Sequence, residues 1–250
     1  MGRLVRSRIT IPPKSKLMIS HHSMGYLPAL ISVSLPQAVL KNWTPDPGSR
    51  QAAAVTLVRE WDARLTVDST AAMIYEYWIA QLPRAVFGPD IGPDVNLQTL
   101  LASLEHQPDS KALANSLDAA LDQIQREYGP DMQAWRWGKV HTILFHHALG
   151  VPSFDRGPVA RPGDDNTVNA TSGAHFRQST GASYREILDL SNWDNSVMTN
   201  VPGESGDPES PHYSDLIDDW AHGRYHPMPF SRRAVEAATA EHLWLVPPEH

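Results

Sequence analysis

Residues 110–130 carry the pattern that most restricts this fold. Leu113, Leu117, Leu121, Ile124 and Tyr128 recur every three or four positions. Asp109 or Ser110 can cap the start, and Gly129-Pro130 follows the end. That spacing lines one face of a helix with apolar side chains, and a glycine followed by proline stops it. A helix of this kind has to bury its stripe against another element. Three further stripes precede it. Val58, Trp61 and Leu65 form the first. Asp68 or Ser69 caps the second, which runs through Met73, Ile74, Tyr77, Trp78, Ile79 and Leu82 and stops near Phe87-Gly88-Pro89. Leu97, Leu100, Leu101 and Leu104 form the third. Residues 49–128 are therefore expected to be helical, with the stripes as core faces.

After Trp135-Arg136-Trp137-Gly138 the texture changes. Residues 140–145 are a short apolar segment compatible with helix or strand. From Val151 onward Gly, Pro, Asn, Asp and Ser dominate, and strands are expected at 167–170, 184–190, 196–200 and 243–246. One helix is expected among these loops. Ser210 would cap it, Pro211 would stand at its first position, and it would run to about His222 before Gly223. The fold class expected is α+β: residues 39–150 mainly helical, residues 151–250 β-rich and loop-rich, and residues 1–38 an unassigned basic lead-in.

That lead-in is unusual. Arg3, Arg6, Arg8, Lys14, Lys16 and Lys41 all precede the first acid, Asp46. The apolar run from Tyr26 to Leu35 has a faint likeness to a signal peptide. Its basic region is too long, Pro28 interrupts it, and no A-x-A site follows. The remaining readings are a poorly ordered stretch or an aberrant start on a truncated gene. Overall the chain carries a net charge of -7, which argues against a nucleic-acid partner. No apolar run reaches the roughly 20 residues that span a bilayer. With no cysteine, thiol nucleophiles and thiolate metal sites are excluded.

The candidate chemistry is sparse. His141, His146 and His147 form one cluster in sequence, and His212, His222 and His226 another. Neither spacing matches the H-E-x-x-H zinc pattern, and imidazoles in loops more often satisfy backbone groups. No metal ligand and no cofactor is assigned. Gly203-Glu204-Ser205-Gly206 comes near a G-x-S-x-G elbow but lacks its spacing. On a helix Asp215 and Asp219 would share one face, although a solvated acidic first turn is the simpler reading of Asp215, Asp218 and Asp219. Asp164-Asp165 reads as turn chemistry.

Taken in order, the motifs resemble one family. Trp137-Gly138-Lys139-Val140-His141 is similar to the W-G-x-hydrophobic-H segment of the penicillin acylases. Arg156-Gly157-Pro158-Val159 and the run Gly163-Asp164-Asp165-Asn166-Thr167-Val168-Asn169 resemble the G-P and G-D-x-x-T-V-N that follow there. Gly181-Ala182-Ser183-Tyr184-Arg185 matches G-x-S-Y-R. Pro202-Gly203-Glu204-Ser205-Gly206-Asp207-Pro208, Ser210-Pro211-His212-Tyr213 and Trp220-Ala221-His222-Gly223-Arg224-Tyr225 come next in the same order. The family ending L-x-L-x-P is matched by Leu243-Trp244-Leu245-Val246-Pro247. Upstream, Trp61-Asp62 and Ala71-Ala72 fit the helical region that precedes these motifs. The resemblance covers about residues 40–248.

This resemblance implies the C-terminal portion of an αββα N-terminal-nucleophile hydrolase. Such enzymes cleave their own precursor and expose a serine that is both nucleophile and, through its α-amine, base. An asparagine and backbone N–H groups stabilise the oxyanion. The substrates implied are small linear amides: β-lactam acyl side chains or acyl-homoserine lactones. No residue of this chain matches the family's nucleophile, oxyanion asparagine or calcium ligands. Gly48-Ser49 is the one junction with a likeness to a cleavage point, but Arg50-Gln51-Ala52 follows it rather than Asn and Trp. The expectation is a chain with no catalytic residue and no assigned substrate-binding residue. Its implied partner is the missing N-terminal part of the enzyme, the α subunit and the front of the β subunit. Without it the chain is expected to expose strand edges and an apolar face.

Overall fold

The computed structural model describes residues 40, 43–90, 95, 97–106, 110–167, 171–242 and 244. The expected lead-in, most of the 167–170 and 243–246 strands, and Asp109 lie outside them. The chain divides into two compact units, one of residues 21–182 and one built on Ser183–His250.

The first unit is organised by its helices. Helix α1 spans Arg50–Glu60, α2 Thr70–Phe87, α3 Leu97–His106 and α4 Ser110–Tyr128. Ser49 caps α1 and Ser69 caps α2, each hydroxyl accepting from the N–H three residues on, at 3.0 Å. Gly88 and Gly129 end α2 and α4 with φ of 102° and 90°, and their N–H groups return to the carbonyls of Arg84 and Gln125. At both places a side chain would be strained by the left-handed backbone. Leu100, Leu104, Leu113, Leu117, Leu121 and Ile124 are buried, as the stripes require. With Met73, Ile74, Trp78 and Leu82 of α2 they make one continuous core. The indole N–H of Trp78 donates to Ser116 Oγ at 3.0 Å, and Ser116 donates on to the Leu113 carbonyl at 2.8 Å, so the buried hydroxyl is satisfied.

One expected stripe breaks. Val58, Trp61 and Leu65 do not share a helix, because α1 stops at Glu60. The Asp62 carboxylate accepts the Arg64 N–H at 3.1 Å and Ala63 takes φ 59°, a local turn that competes with helix. Leu65 is buried all the same, from a loop.

Past α4, Trp137–Val140 forms a single helical turn, α5, which feeds strand β1, Thr142–Phe145. Strand β2, Arg156–Ala160, pairs antiparallel with it in the register Thr142↔Ala160 and Ile143↔Val159. The sequence leaves residues 142–145 open between helix and strand, and β2 is not among the expected strands; its Pro158 is tolerated because β2 is an edge strand.

The second unit holds a three-stranded antiparallel sheet. Strand β3 is Arg185–Ile187, β4 is Val197–Thr199 and β5 is His226–Pro227, in the order β3-β4-β5. The strands expected at 184–190 and 196–200 contain β3 and β4. Two short helices accompany the sheet, α6 at Ile217–Ala221 and α7 at Arg232–Ala238.

The expected helix from Ser210 to His222 is corrected: only its last turn, α6, is helical. In a continuous helix the Leu216 N–H would bond the His212 carbonyl. Instead the Leu216 N–H donates to Pro202 at 3.2 Å, and the His212 carbonyl accepts from Ser205 at 3.0 Å. The 202–205 loop takes both helical partners, so residues 207–216 run as successive turns.

The α+β content is thus as expected, with one small antiparallel sheet in each unit among the described residues.

Candidate functional site

The polar groups of the first unit gather where α2 and α5 meet the loops on either side of β2. Gly138 lies so close to Val67 that an added Cβ would stand 2.8 Å from the valine's Cβ. Its N–H donates to the Val67 carbonyl at 2.8 Å, and the Trp137 N–H to Ser69 at 3.1 Å. The Trp137 indole N–H reaches the Gly163 carbonyl at 3.0 Å. These bonds fix the plane on which His141 stacks, 4.9 Å from the Trp137 ring and 6° from parallel.

His141 is 2% exposed and both ring nitrogens are used. Nδ1 lies 2.5 Å from the Phe176 carbonyl and Nε2 lies 2.7 Å from Thr171 Oγ1. A carbonyl can only accept, so Nδ1 carries the proton and Nε2 accepts from the threonine. Burial holds this imidazole below its ordinary pKa, which keeps it neutral. The Phe176 ring packs 4.8 Å from Tyr77 and 5.8 Å from Trp137, and the chain at His175 and Phe176 is left-handed, with φ of 53° and 62°. His141 therefore clamps a strained loop through its carbonyl.

Arg161, 1% exposed, donates its backbone N–H to the His141 carbonyl at 2.8 Å and its Nε to Gln178 at 3.2 Å. Asp164 accepts the Asn166 N–H at 3.0 Å, a turn of the kind expected from the sequence. Burial, followed by the charges of Asp164 and Asp165, raises the carboxyl of Glu76 on α2 well above its ordinary range. Glu76 was not singled out from the sequence. Its signal is a lone acid inside the run Met73-Ile74-Tyr75-Glu76-Tyr77-Trp78.

The two histidine clusters do not converge. His146 pairs with Asp155 at 2.9 Å, and the His147 N–H donates to the same carboxylate at 2.8 Å, while His141 faces Phe176 and Thr171. In the second unit His212 pairs with Asp215 at 2.9 Å, His222 with Asp218 at 3.0 Å, and His226 lies 3.2 Å from Asp219. Arg224 bridges Asp218 and Asp219. Asp215 lies before the start of α6, so it does not share a helix face with Asp219 as a 210–222 helix would require. Among the described residues no group of three or more His, Asp or Glu is arranged to hold a metal ion.

The two serines singled out from the sequence, Ser49 and Ser205, bond the backbone. Ser49 Oγ donates to the Asp46 carbonyl at 2.6 Å while capping α1. Ser205 Oγ accepts the Asp207 N–H at 3.1 Å, inside a turn rather than between strand and helix. Gly203 is pressed against the 212–213 backbone, where a Cβ would come 2.3 Å from the His212 carbonyl. Arg185 of β3 places its guanidinium 5.3 Å from the Trp220 ring and 5.9 Å from Tyr225, and donates to the Trp220 carbonyl. Trp220 is 1% exposed, so the S-Y-R and W-x-x-G-x-Y motifs meet around one buried cation–aromatic contact.

The motifs therefore form two packed frameworks, and comparison with known proteins explains their order. The penicillin amidase family model matches residues 18–237. The chain belongs to the penicillin amidase family. Among its relatives, the acyl-homoserine lactone acylase QuiP of Pseudomonas fluorescens strain Pf0-1 is 29% identical over 212 residues, covering 72% of this chain and 26% of that protein. The penicillin acylase 2 proenzyme of Pseudomonas sp. strain SE83 is 33% identical over 210 residues, covering 79% of this chain and 27% of that one. In fold the chain resembles the thermostable penicillin G acylase of Alcaligenes faecalis, with a TM-score of 0.51 and 17% identity over 94% of this chain and 50% of that chain. The chain spans about a quarter of the length of the curated penicillin amidase relatives it matches. No helix among the described residues is long and apolar enough to cross a membrane.

Proposed function

We propose that this chain is a framework portion of a penicillin-amidase-type hydrolase of linear amides, and that the nucleophile is supplied by another portion of the family's αββα architecture. The observation that carries this reading is a contrast. The family match runs over residues 18–237, yet the motif residues, His141, Trp137, Arg185 and Trp220 among them, are spent on packing and on backbone hydrogen bonds. A serine amidase needs a hydroxyl beside a base and donors aimed at the oxyanion. Ser49 and Ser205 serve the backbone instead.

The second unit supports a partner. Leu188, Leu190, Trp193, Phe230, Val235 and Trp244 are all exposed large apolar side chains, and Trp193 and Phe230 lie 5.1 Å apart. Exposed apolar clusters of this kind favour association. The substrates are acyl amides of the kind named in the relatives, acyl-homoserine lactones or penicillins. The test is hydrolysis of a chromogenic phenylacetyl amide and a long-chain acyl amide by the chain alone and mixed with a polypeptide carrying the rest of the family fold. Turnover is expected only in the mixture. Serine-dependent turnover by the chain alone would refute the proposal. A mixture that associates without turnover would favour a purely structural subunit.

A further inference from the structure

The Asp194 carboxylate ties two loops of the second unit together. It accepts the Phe230 N–H at 2.9 Å, the Ser231 N–H at 2.6 Å and the Ser231 hydroxyl at 2.7 Å. The bonds from Ser231, then that from Phe230, hold its carboxyl below the ordinary range, so it stays charged. The stretch that carries Asp194 is itself braced. The Asp194 N–H donates to Asn192 Oδ1 at 3.3 Å, the Asn195 N–H to the Asn192 carbonyl at 2.9 Å, and Ser191 donates its N–H and hydroxyl to Asp189 at 2.9 and 2.6 Å. Across from it the Met228 N–H donates to the Ser196 carbonyl at 2.8 Å, and Ser231 caps α7 through the Ala234 N–H at 3.2 Å.

These braced loops hold apolar side chains in water. Trp193 and Phe230 lie 5.1 Å apart, 40° from parallel, and are 45% and 67% exposed. Leu190 of the same loop is 74% exposed. Tyr184, exposed as well, brings its hydroxyl 3.7 Å from the Met228 sulfur. Aromatic side chains fixed in advance lose little freedom when a partner covers them, which is the condition for a binding hot spot.

We propose that the Trp193–Phe230 pair, flanked by Leu190 and Tyr184, is the knob by which this chain docks on the polypeptide carrying the rest of the family fold; the inference rests on the framework reading above. Charge selects this occupant over a second copy. Residues 183–250 hold twelve Asp and Glu against four Lys and Arg. Arg224 bridges Asp218 and Asp219, Arg232 pairs with Glu236 at 2.7 Å, Arg185 lies against Trp220, and Arg233 is felt by Asp194. Two copies set knob to knob would bring two acidic units together, which like-charge repulsion opposes. The surface that fits is an apolar recess with a basic rim. The solved chain that this fold resembles extends well beyond it, which leaves a body of the same fold for the knob to pack against.

The test titrates the purified full chain with that polypeptide and follows association by sedimentation velocity at low and high salt. The double variant Trp193→Ser, Phe230→Ser should weaken association by about tenfold or more, with an unchanged circular dichroism spectrum because both side chains are exposed. Leu190→Arg, which sets a charge on the same patch, is the second variant should the first fail to fold. Wild-type association should weaken as salt rises. Full affinity in a folded variant, or association that salt does not weaken, overturns the docking knob and leaves the framework reading standing. No association of the wild-type chain refutes the framework reading, and this inference with it. A wild-type dimer that tightens with salt and is lost in the variants overturns the choice of partner, because a second copy then covers the patch.

Discussion

At the scale of single residues, the sequence marks positions more clearly than it marks roles. His141 stands in a recognisable W-G-x-hydrophobic-H segment, but its two bonds depend on Phe176 and Thr171, 35 and 30 residues away. No local pattern shows those partners. Replacing His141 with alanine leaves a buried carbonyl and hydroxyl unpaired and removes the ring stacked on Trp137. Each orphan costs roughly 1–3 kcal/mol, so a loss of about 3 kcal/mol or more is expected in urea unfolding followed by tryptophan fluorescence. A loss within about 0.5 kcal/mol, the range of ordinary surface changes, would contradict the clamp. Glu76 was legible only as an oddity, an acid in an apolar run.

At the scale of elements, local rules worked where local bonds decide the outcome. The caps at Ser49 and Ser69 and the stops at Gly88 and Gly129 are short-range features, and the helices they bound follow from spacing. Replacing Ser69 with alanine removes the bond to the Ala72 N–H and should lower stability by about 1 kcal/mol, with faster amide exchange in the first turn of α2. Unchanged exchange there would show that the cap contributes little. The rules failed where a distant strand or loop competes. Ser210-Pro211 is a sound helix start, yet the 202–205 loop claims the bonds of His212 and Leu216. Strand β2 was not expected, because its pairing with β1 cannot be seen from spacing alone.

At the scale of the whole molecule, the α+β class and the family were legible because many weak motifs keep one order. The first unit closes its own core around α2 and α4. The second leaves Leu190, Trp193, Phe230 and Trp244 exposed. The motif side chains His141, Trp137 and Arg185 are committed to packing and backbone bonds, which is the ground for the framework role proposed above. The direct measurement is covalent labelling. The chain is mixed with a polypeptide carrying the rest of the family fold, treated with a serine-directed sulfonyl fluoride, and each polypeptide is weighed by mass spectrometry. The label is expected on the complementary polypeptide, with loss of amide hydrolysis, and none on this chain. A stoichiometric label on a serine of this chain, with the same loss of activity, would contradict the account.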